Sequence, residues 1–276
     1  MSRLCAVVQS RSMLDDQSVP KREMPLRSKL RRGIFILPSL ITTLSFFCGF
    51  YALIASFNGD YYHAAIAIIL AGLFDFLDGK VARLTNTATN FGMEYDSLSD
   101  LMSFGIAPGF LVYSWALQPY GRIGYMAAFL YVICGALRLA RFNTLAHSGL
   151  GQGRFVGLPI PGAAMVVASM VIMTKDFFLL EKLPPTVLVA TVYALAFLMV
   201  SNVRYFSAKQ IDFSRRRPFS ILVFMVLAVY VLAVMPELML FIVTVGYAAS
   251  GPIEWIVSKL LHRDQSAAET PRHQHK

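Results

Sequence analysis

Long apolar runs alternate along the chain with short polar or basic connections. The runs cover approximately residues 34–57, 62–83, 93–116, 122–142, 158–175, 185–201, 218–235 and 237–258. Each comes close to the roughly 20 apolar residues a helix needs to cross a hydrocarbon core about 30 Å thick. Membrane barrels instead show short segments of alternating polarity, and this chain has none. The pattern predicts an all-α, polytopic membrane protein of about eight transmembrane helices. Its expected layout is a basic polar segment over 1–33, a transmembrane domain over 34–258 and a polar tail over 259–276.

Composition agrees with that solvent. The 276 residues are 56% hydrophobic and 15% charged, whereas soluble domains carry about a quarter charged residues. Residues 1–33 lack the apolar centre of a cleavable leader. Cys5, Cys48 and Cys134 show no paired spacing, so neither a disulfide framework nor a zinc site is expected.

Charge sets orientation. With the N-terminus in the cytoplasm, every Lys and Arg except Arg122, Lys175 and Lys182 falls on the cytoplasmic side. Both termini are therefore expected inside, in an inner (cytoplasmic) membrane. The net charge of +9 is then a topology signal rather than a nucleic-acid-binding one. The basic cluster from Lys21 to Arg32 also suits anionic lipid headgroups.

Intramembrane acids are costly and point to function. Four lie close together: Asp75, Asp78, Asp96 and Asp100. On the second run, Asp75, Asp78, Gly79, Ala82 and Arg83 share one helical face. On the third, Gly92, Asp96 and Asp100 share another. The two runs are antiparallel neighbours joined by residues 84–91. Asp75 precedes Arg83 by eight residues, and Asp100 follows Gly92 by eight, an offset of about 12 Å in each helix. The acids should therefore reach similar depth and converge.

Four carboxylates in a low-dielectric pocket need counter-charge. Oxygen ligands without His or Cys suit Mg²⁺ or Mn²⁺, and two such ions would form a clamp for phosphoryl chemistry. Gly79, Ala82 and Gly92 would let a substrate approach the acidic faces. Competing readings are a structural network of acids and arginines, or a path for divalent cations.

The run Asp75-Phe-Leu-Asp78-Gly79-Lys-Val-Ala82-Arg83, followed by Gly92, Asp96 and Asp100, resembles the CDP-alcohol phosphotransferase signature without a departure. The resemblance implies a six-helix catalytic core, here with two further C-terminal helices, often in a homodimer. It also implies two divalent ions and displacement of CMP from a CDP-linked donor by an alcohol. Three further segments look like the family's phosphatidylserine synthase branch: Leu137 to Asn143, Gly157 to Gly162, and Met199 to Tyr205. Those resemblances imply CDP-diacylglycerol and L-serine as substrates. Choline, glycerol 3-phosphate and inositol phosphate remain alternative acceptors within the family.

Residue roles follow from both lines of reading. Asp75, Asp78, Asp96 and Asp100 are the expected metal ligands, with Asp100 also the base that takes the acceptor's proton. Asp78, Gly79, Ala82, Arg83 and Gly92 are expected at the nucleotide. Serine carries a carboxylate, which a guanidinium recognises in bidentate fashion. Arg138, Arg141, Asn143 and Arg204, at the cytoplasmic ends of their runs, are the candidates for holding it.

Overall fold

The computed structural model describes residues 26–85, 89–147, 157–176, 185–203, 205 and 235–268, and all regular structure among them is helical. The helices are α1 (Leu26–Phe57), α2 (Tyr61–Thr85), α3 (Asn90–Asp100), α4 (Ala107–Val112), α5 (Gly121–His147), α6 (Ile160–Asp176), α7 (Pro185–Val200) and α8 (Pro236–Ala268). They follow the predicted runs to within a few residues, except that α1 starts earlier and α8 continues further. The run predicted over 218–235 falls outside the described residues apart from its last position. Among the described residues, three helical stretches are long and apolar enough to cross a membrane: Leu37–Phe57, Asn90–Leu145 and Pro236–Trp255.

The predicted third run is not one regular α-helix. Between α3 and α4, residues Leu101–Ile106 widen into a π-helix, and the Ala107 N–H reaches back to the Met102 carbonyl. A second π-turn, Tyr113–Leu117, follows α4. Periodicity of apolar residues cannot see such a widening, because residues 101–117 are apolar nearly throughout, whichever way they wind. Gly121, at φ +53°, then reverses the chain into α5. The two arms lie antiparallel: the Tyr131 hydroxyl donates to the Phe104 carbonyl at 3.2 Å, and Asn143 Nδ2 to Ser97 Oγ at 2.9 Å.

Alanines line much of the interior, beside a few large side chains such as Phe104 and Tyr131, while many large apolar residues face outward. Ala52, Ala55, Ala64, Ala65, Ala71, Ala163, Ala164 and Ala168 are all buried. Phe47, Phe57, Phe129 and Phe197 are exposed. Lipid offers apolar side chains no penalty, so close backbone approach and interhelical hydrogen bonds hold such bundles together. A Cβ on Gly49 would meet the Ser103 hydroxyl at 2.5 Å. Three serine hydroxyls cross between helices: Ser45 to the Ala71 carbonyl at 3.0 Å, Ser103 to the Ser45 carbonyl at 3.0 Å, and Ser99 to the Thr42 carbonyl at 3.2 Å. α1 thus runs antiparallel to α2 and parallel to the α3–α4 rod, and the three form the frame of the site.

Candidate active site

The buried stripe of α2 descends through Ala64, Ile68 and Ala71, and at the same spacing reaches Asp75 and Asp78. The helix therefore turns from apolar to acidic without changing the face it presents. α3 answers from the other side. Thr89 caps it, its hydroxyl accepting from the Gly92 N–H at 3.0 Å, and this fixes where the first turn begins. Asp96 and Asp100 follow on the inward face.

The four acids meet, though not as equals. Carboxylate oxygens of Asp75, Asp78 and Asp96 lie within 4.8 Å of one another. Asp100 stands beside this triad, its carboxyl against that of Asp75. Oδ2 of Asp78 and Oδ1 of Asp100 are buried and make no hydrogen bond. Buried polar atoms are nearly always partnered, and two orphaned carboxylate oxygens beside a clustered triad suit a bound cation. The donor set is all oxygen, which favours a hard divalent ion.

A cleft of about 270 Å³ opens from the acids. α1 lines it with Pro38, Ser39 and Thr42, α2 with Asp78, Gly79, Ala82 and Arg83, and the start of α3 with Thr89, Gly92, Met93 and Asp96. All five residues expected at the nucleotide thus border one space. A Cβ on Gly79 would meet nothing within 4 Å, so the missing side chain leaves room in the cleft. Arg83, exposed, anchors its Nε on the Gly79 carbonyl at 2.9 Å. Its charge and the N-terminus of α3 put positive potential on the cleft, with the acids at its inner end. That polarity matches a ligand whose phosphates point inward and coordinate cations.

The residues expected at serine separate. Arg138 is largely buried, within electrostatic reach of Asp100 and of Tyr247 on α8, and its Nε has no partner. Arg141 is exposed and donates to the Asn202 side-chain oxygen at 3.0 Å. Asn143 is tied to Ser97, next to Asp96. Arg204 lies outside the described residues.

The three segments singled out beside the signature pack on one another. The Arg141–Asn202 bond joins the first to the third. Gly157 donates its N–H to the Val203 carbonyl at 2.9 Å, and Leu158 to the Leu198 carbonyl at 3.0 Å. Gly157, at φ +82°, is a position only glycine occupies easily, and a Cβ there would run into the Met199 carbonyl.

Two participants escape the sequence reading. Thr42 is buried, its hydroxyl 3.0 Å from the Pro38 carbonyl and bordering the Asp78 carboxyl. A signal was available, since Ser39, Thr42 and Ser45 recur every three residues within the mostly apolar run 34–57. Tyr247 gave none, being one aromatic among many on a distant helix.

Comparison with known proteins completes the picture. The CDP-alcohol phosphatidyltransferase family model matches residues 35–188. A CDP-diacylglycerol–serine O-phosphatidyltransferase of Helicobacter pylori is 33% identical over 85% of this chain and 98% of its own length. An archaetidylserine synthase of Methanothermobacter thermautotrophicus is 37% identical over 65% of this chain and 73% of its own. A crystal structure of Mycobacterium tuberculosis phosphatidylinositol phosphate synthase with CDP-DAG bound is 26% identical, covers 63% of this chain and 85% of that one, and superposes with a TM-score of 0.46. With its signature residues folded around one acidic cleft and more than half its length matched, the chain belongs to the CDP-alcohol phosphatidyltransferase family.

Proposed function

We propose that this protein transfers the phosphatidyl group of CDP-diacylglycerol to the hydroxyl of L-serine, releasing CMP. The observation that carries the reading is the Asp75, Asp78 and Asp96 triad at the inner end of a cleft lined by Gly79, Ala82, Arg83 and Gly92. Relatives named for serine transfer, one bacterial and one archaeal, support the acceptor. Their donors' lipids differ in name while serine is common to both. Arg138, half-buried and within electrostatic reach of Asp100, supplies a cation for the serine carboxylate.

Asp75, Asp78 and Asp96 would hold two divalent ions, Mg²⁺ or Mn²⁺, with Asp100 adjoining them. Bound cations of this kind neutralise charge on the pyrophosphate and on the departing nucleotide. The protein's own groups do the rest. Gly79 and Ala82 admit the nucleotide, and Arg83 faces its phosphates. Asp100 accepts the proton of the serine hydroxyl. The serine oxygen bonds to the phosphorus that carries diacylglycerol, the bond from that phosphorus to the CMP oxygen breaks, and CMP leaves with the electron pair. The transferred proton remains on Asp100 until it is lost to water. The acids lie near the cytoplasmic end of their helices, so acyl chains stay in lipid while serine arrives from the cytoplasm. Both termini face that side, and two copies of the chain form a homodimer.

The test is CMP release by purified protein from CDP-diacylglycerol with Mg²⁺ or Mn²⁺, with serine, choline, glycerol 3-phosphate or inositol phosphate as acceptor. Release with serine alone is the expected result. Release with a different acceptor would replace serine while keeping the donor and the site.

A further inference from the structure

Pro252 lies inside α8, where it has no N–H to give to the carbonyl four residues earlier. That carbonyl belongs to Ala248, which is buried. A buried carbonyl without a partner is costly. The Tyr205 hydroxyl donates to it at 3.1 Å. A side chain from a distant segment thus supplies the bond that the helix cannot make for itself. The glycine before the proline makes room for it. A Cβ on Gly251 would stand 2.5 Å from the Tyr205 ring, so only its absence lets the ring lie on α8. The Tyr247 ring, one turn earlier on α8, packs against the same ring with 5.7 Å between centroids.

Tyr205 ends the segment that begins at Met199, and that segment is held at two further points. The Val203 carbonyl accepts from the Gly157 N–H at 2.9 Å, and the Asn202 side-chain oxygen accepts from Arg141 at 3.0 Å. Four neighbouring positions are therefore tied to α8, to the turn before α6 and to α5. Both this segment and α8 lie beyond the family match, which ends at residue 188. Arg141 is exposed, and a long exposed side chain gains by keeping its rotamer freedom. Asn202 holds it instead. An amide oxygen is a neutral acceptor, so it orients the guanidinium and leaves its charge for a ligand.

We propose that Tyr205 is a positioning residue for the acceptor side of the reaction: filling the hydrogen-bond gap that Pro252 opens in α8, it fixes the end of its segment and, through Asn202, sets the Arg141 guanidinium to meet the carboxylate of an amino-acid acceptor. The inference rests on the proposed transfer to serine and deepens it. Arg141 joins Arg138 as a cation for the carboxylate, and α8 takes part in selecting the acceptor.

Thermal unfolding and steady-state CMP release test it, on metal-loaded, full-length protein in lipid vesicles with L-serine and CDP-diacylglycerol varied in turn. Tyr205→Phe keeps the ring on Gly251 and removes only the oxygen. It should lower Tm and raise the KM for L-serine about fivefold, the scale of one lost hydrogen bond. The kcat and the KM for CDP-diacylglycerol should stay within about twofold. Pro252→Ala restores a backbone N–H for the Ala248 carbonyl, so in that background Tyr205→Phe should lower Tm by less. Equal losses in both backgrounds would overturn the pairing of Tyr205 with the proline gap. Asn202→Ala cuts the same chain of bonds at an exposed position, and it decides the matter if Tyr205→Phe does not accumulate. It should raise the serine KM by a similar factor. Arg141→Gln should raise it at least as far, with no further rise when Tyr205→Phe is added. A raised serine KM in Arg141→Gln alone would overturn the role of Tyr205 and leave Arg141 at the carboxylate. A lower Tm with an unchanged serine KM in Tyr205→Phe and Asn202→Ala would make the bonds structural and overturn the proposal. Absence of serine-driven release from the unaltered protein would overturn the serine reading, and the proposal with it.

Discussion

The side-chain amide of Asn143 donates to the Ser97 hydroxyl at 2.9 Å, one residue after Asp96. It ties the C-terminal end of α5 to the acidic turn of α3, joining the arm that carries Arg138 to the arm that carries Asp96 and Asp100. Ser97 also donates to the Met93 carbonyl at 2.9 Å, which leaves its lone pairs for Asn143. Asn143→Ala should cost about 1 kcal/mol of stability. It should lower kcat for CMP release more than the KM for CDP-diacylglycerol. A double-mutant cycle with Ser97→Ala, read by thermal unfolding and by kcat, should give clearly non-additive losses. Additive losses would show that the bond does not couple the arms.

Asp100→Asn keeps the shape of the side chain and removes its ability to accept a proton. CMP release should fall by about 10²- to 10⁴-fold, the usual contribution of a general base. Binding of CDP-diacylglycerol in the presence of Mn²⁺ should persist, because the Asp75, Asp78 and Asp96 triad is intact. Equilibrium binding beside single-turnover kinetics separates the two. Loss of binding along with turnover would place Asp100 among the indispensable ligands instead.

Two glycines should respond in opposite ways to an added methyl group. Gly157→Ala puts a side chain at φ +82° and drives its Cβ into the Met199 carbonyl. It should lower stability by about 1–3 kcal/mol, visible as a lower Tm and poorer yield. Gly79→Ala meets nothing within 4 Å and should leave Tm unchanged. Its methyl occupies the cleft, so the KM for CDP-diacylglycerol should rise severalfold. An unchanged KM would remove the cleft from the nucleotide's path.

Metal should stabilise as well as activate. Ions that bind only the folded protein raise its stability by about 2.7 kcal/mol at a hundred times their Kd. Mn²⁺ titrated into chelator-treated protein should therefore raise Tm and restore CMP release over the same concentration range. Asp96→Asn should abolish that rise. It should also make the metal-free protein more stable than the metal-free parent, because it removes one charge from a crowded buried set. A metal-dependent rise in Tm that survives in Asp96→Asn would place the ions elsewhere.

Helical spacing made the acids legible before any coordinates. Asp75 and Asp78, and then Asp96 and Asp100, are local patterns on two helices forced antiparallel by a short connection, and local geometry suffices to bring them together. The boundaries of α2, α5, α6 and α7 were legible for the same reason, since apolar run length fixes them. What stayed hidden depends on contacts between distant parts of the chain. Thr42 matters because α1 lies parallel to α3, an arrangement set by Ser99 and Ser103 bonding to carbonyls more than fifty residues earlier. Tyr247 packs on α6 because Gly162 lets a C-terminal helix come close. Arg138 and Arg141 were indistinguishable as sequence, three residues apart and both near the C-terminal end of one apolar run. Their rotation about α5 sends one inward to Asp100 and the other to Asn202 at the surface.

The π-helical stretch Leu101–Ile106 begins at the residue after Asp100. A π-turn absorbs one extra residue, which in an unbroken α-helix would rotate all that follows by about 100°. The acids before the stretch and the Phe104–Tyr131 contact within it are therefore indexed to each other by a residue count. Taking one residue out of the stretch would let it close as ordinary α-helix, leaving the acids before it and α4 after it on their present faces and displacing only the residues between.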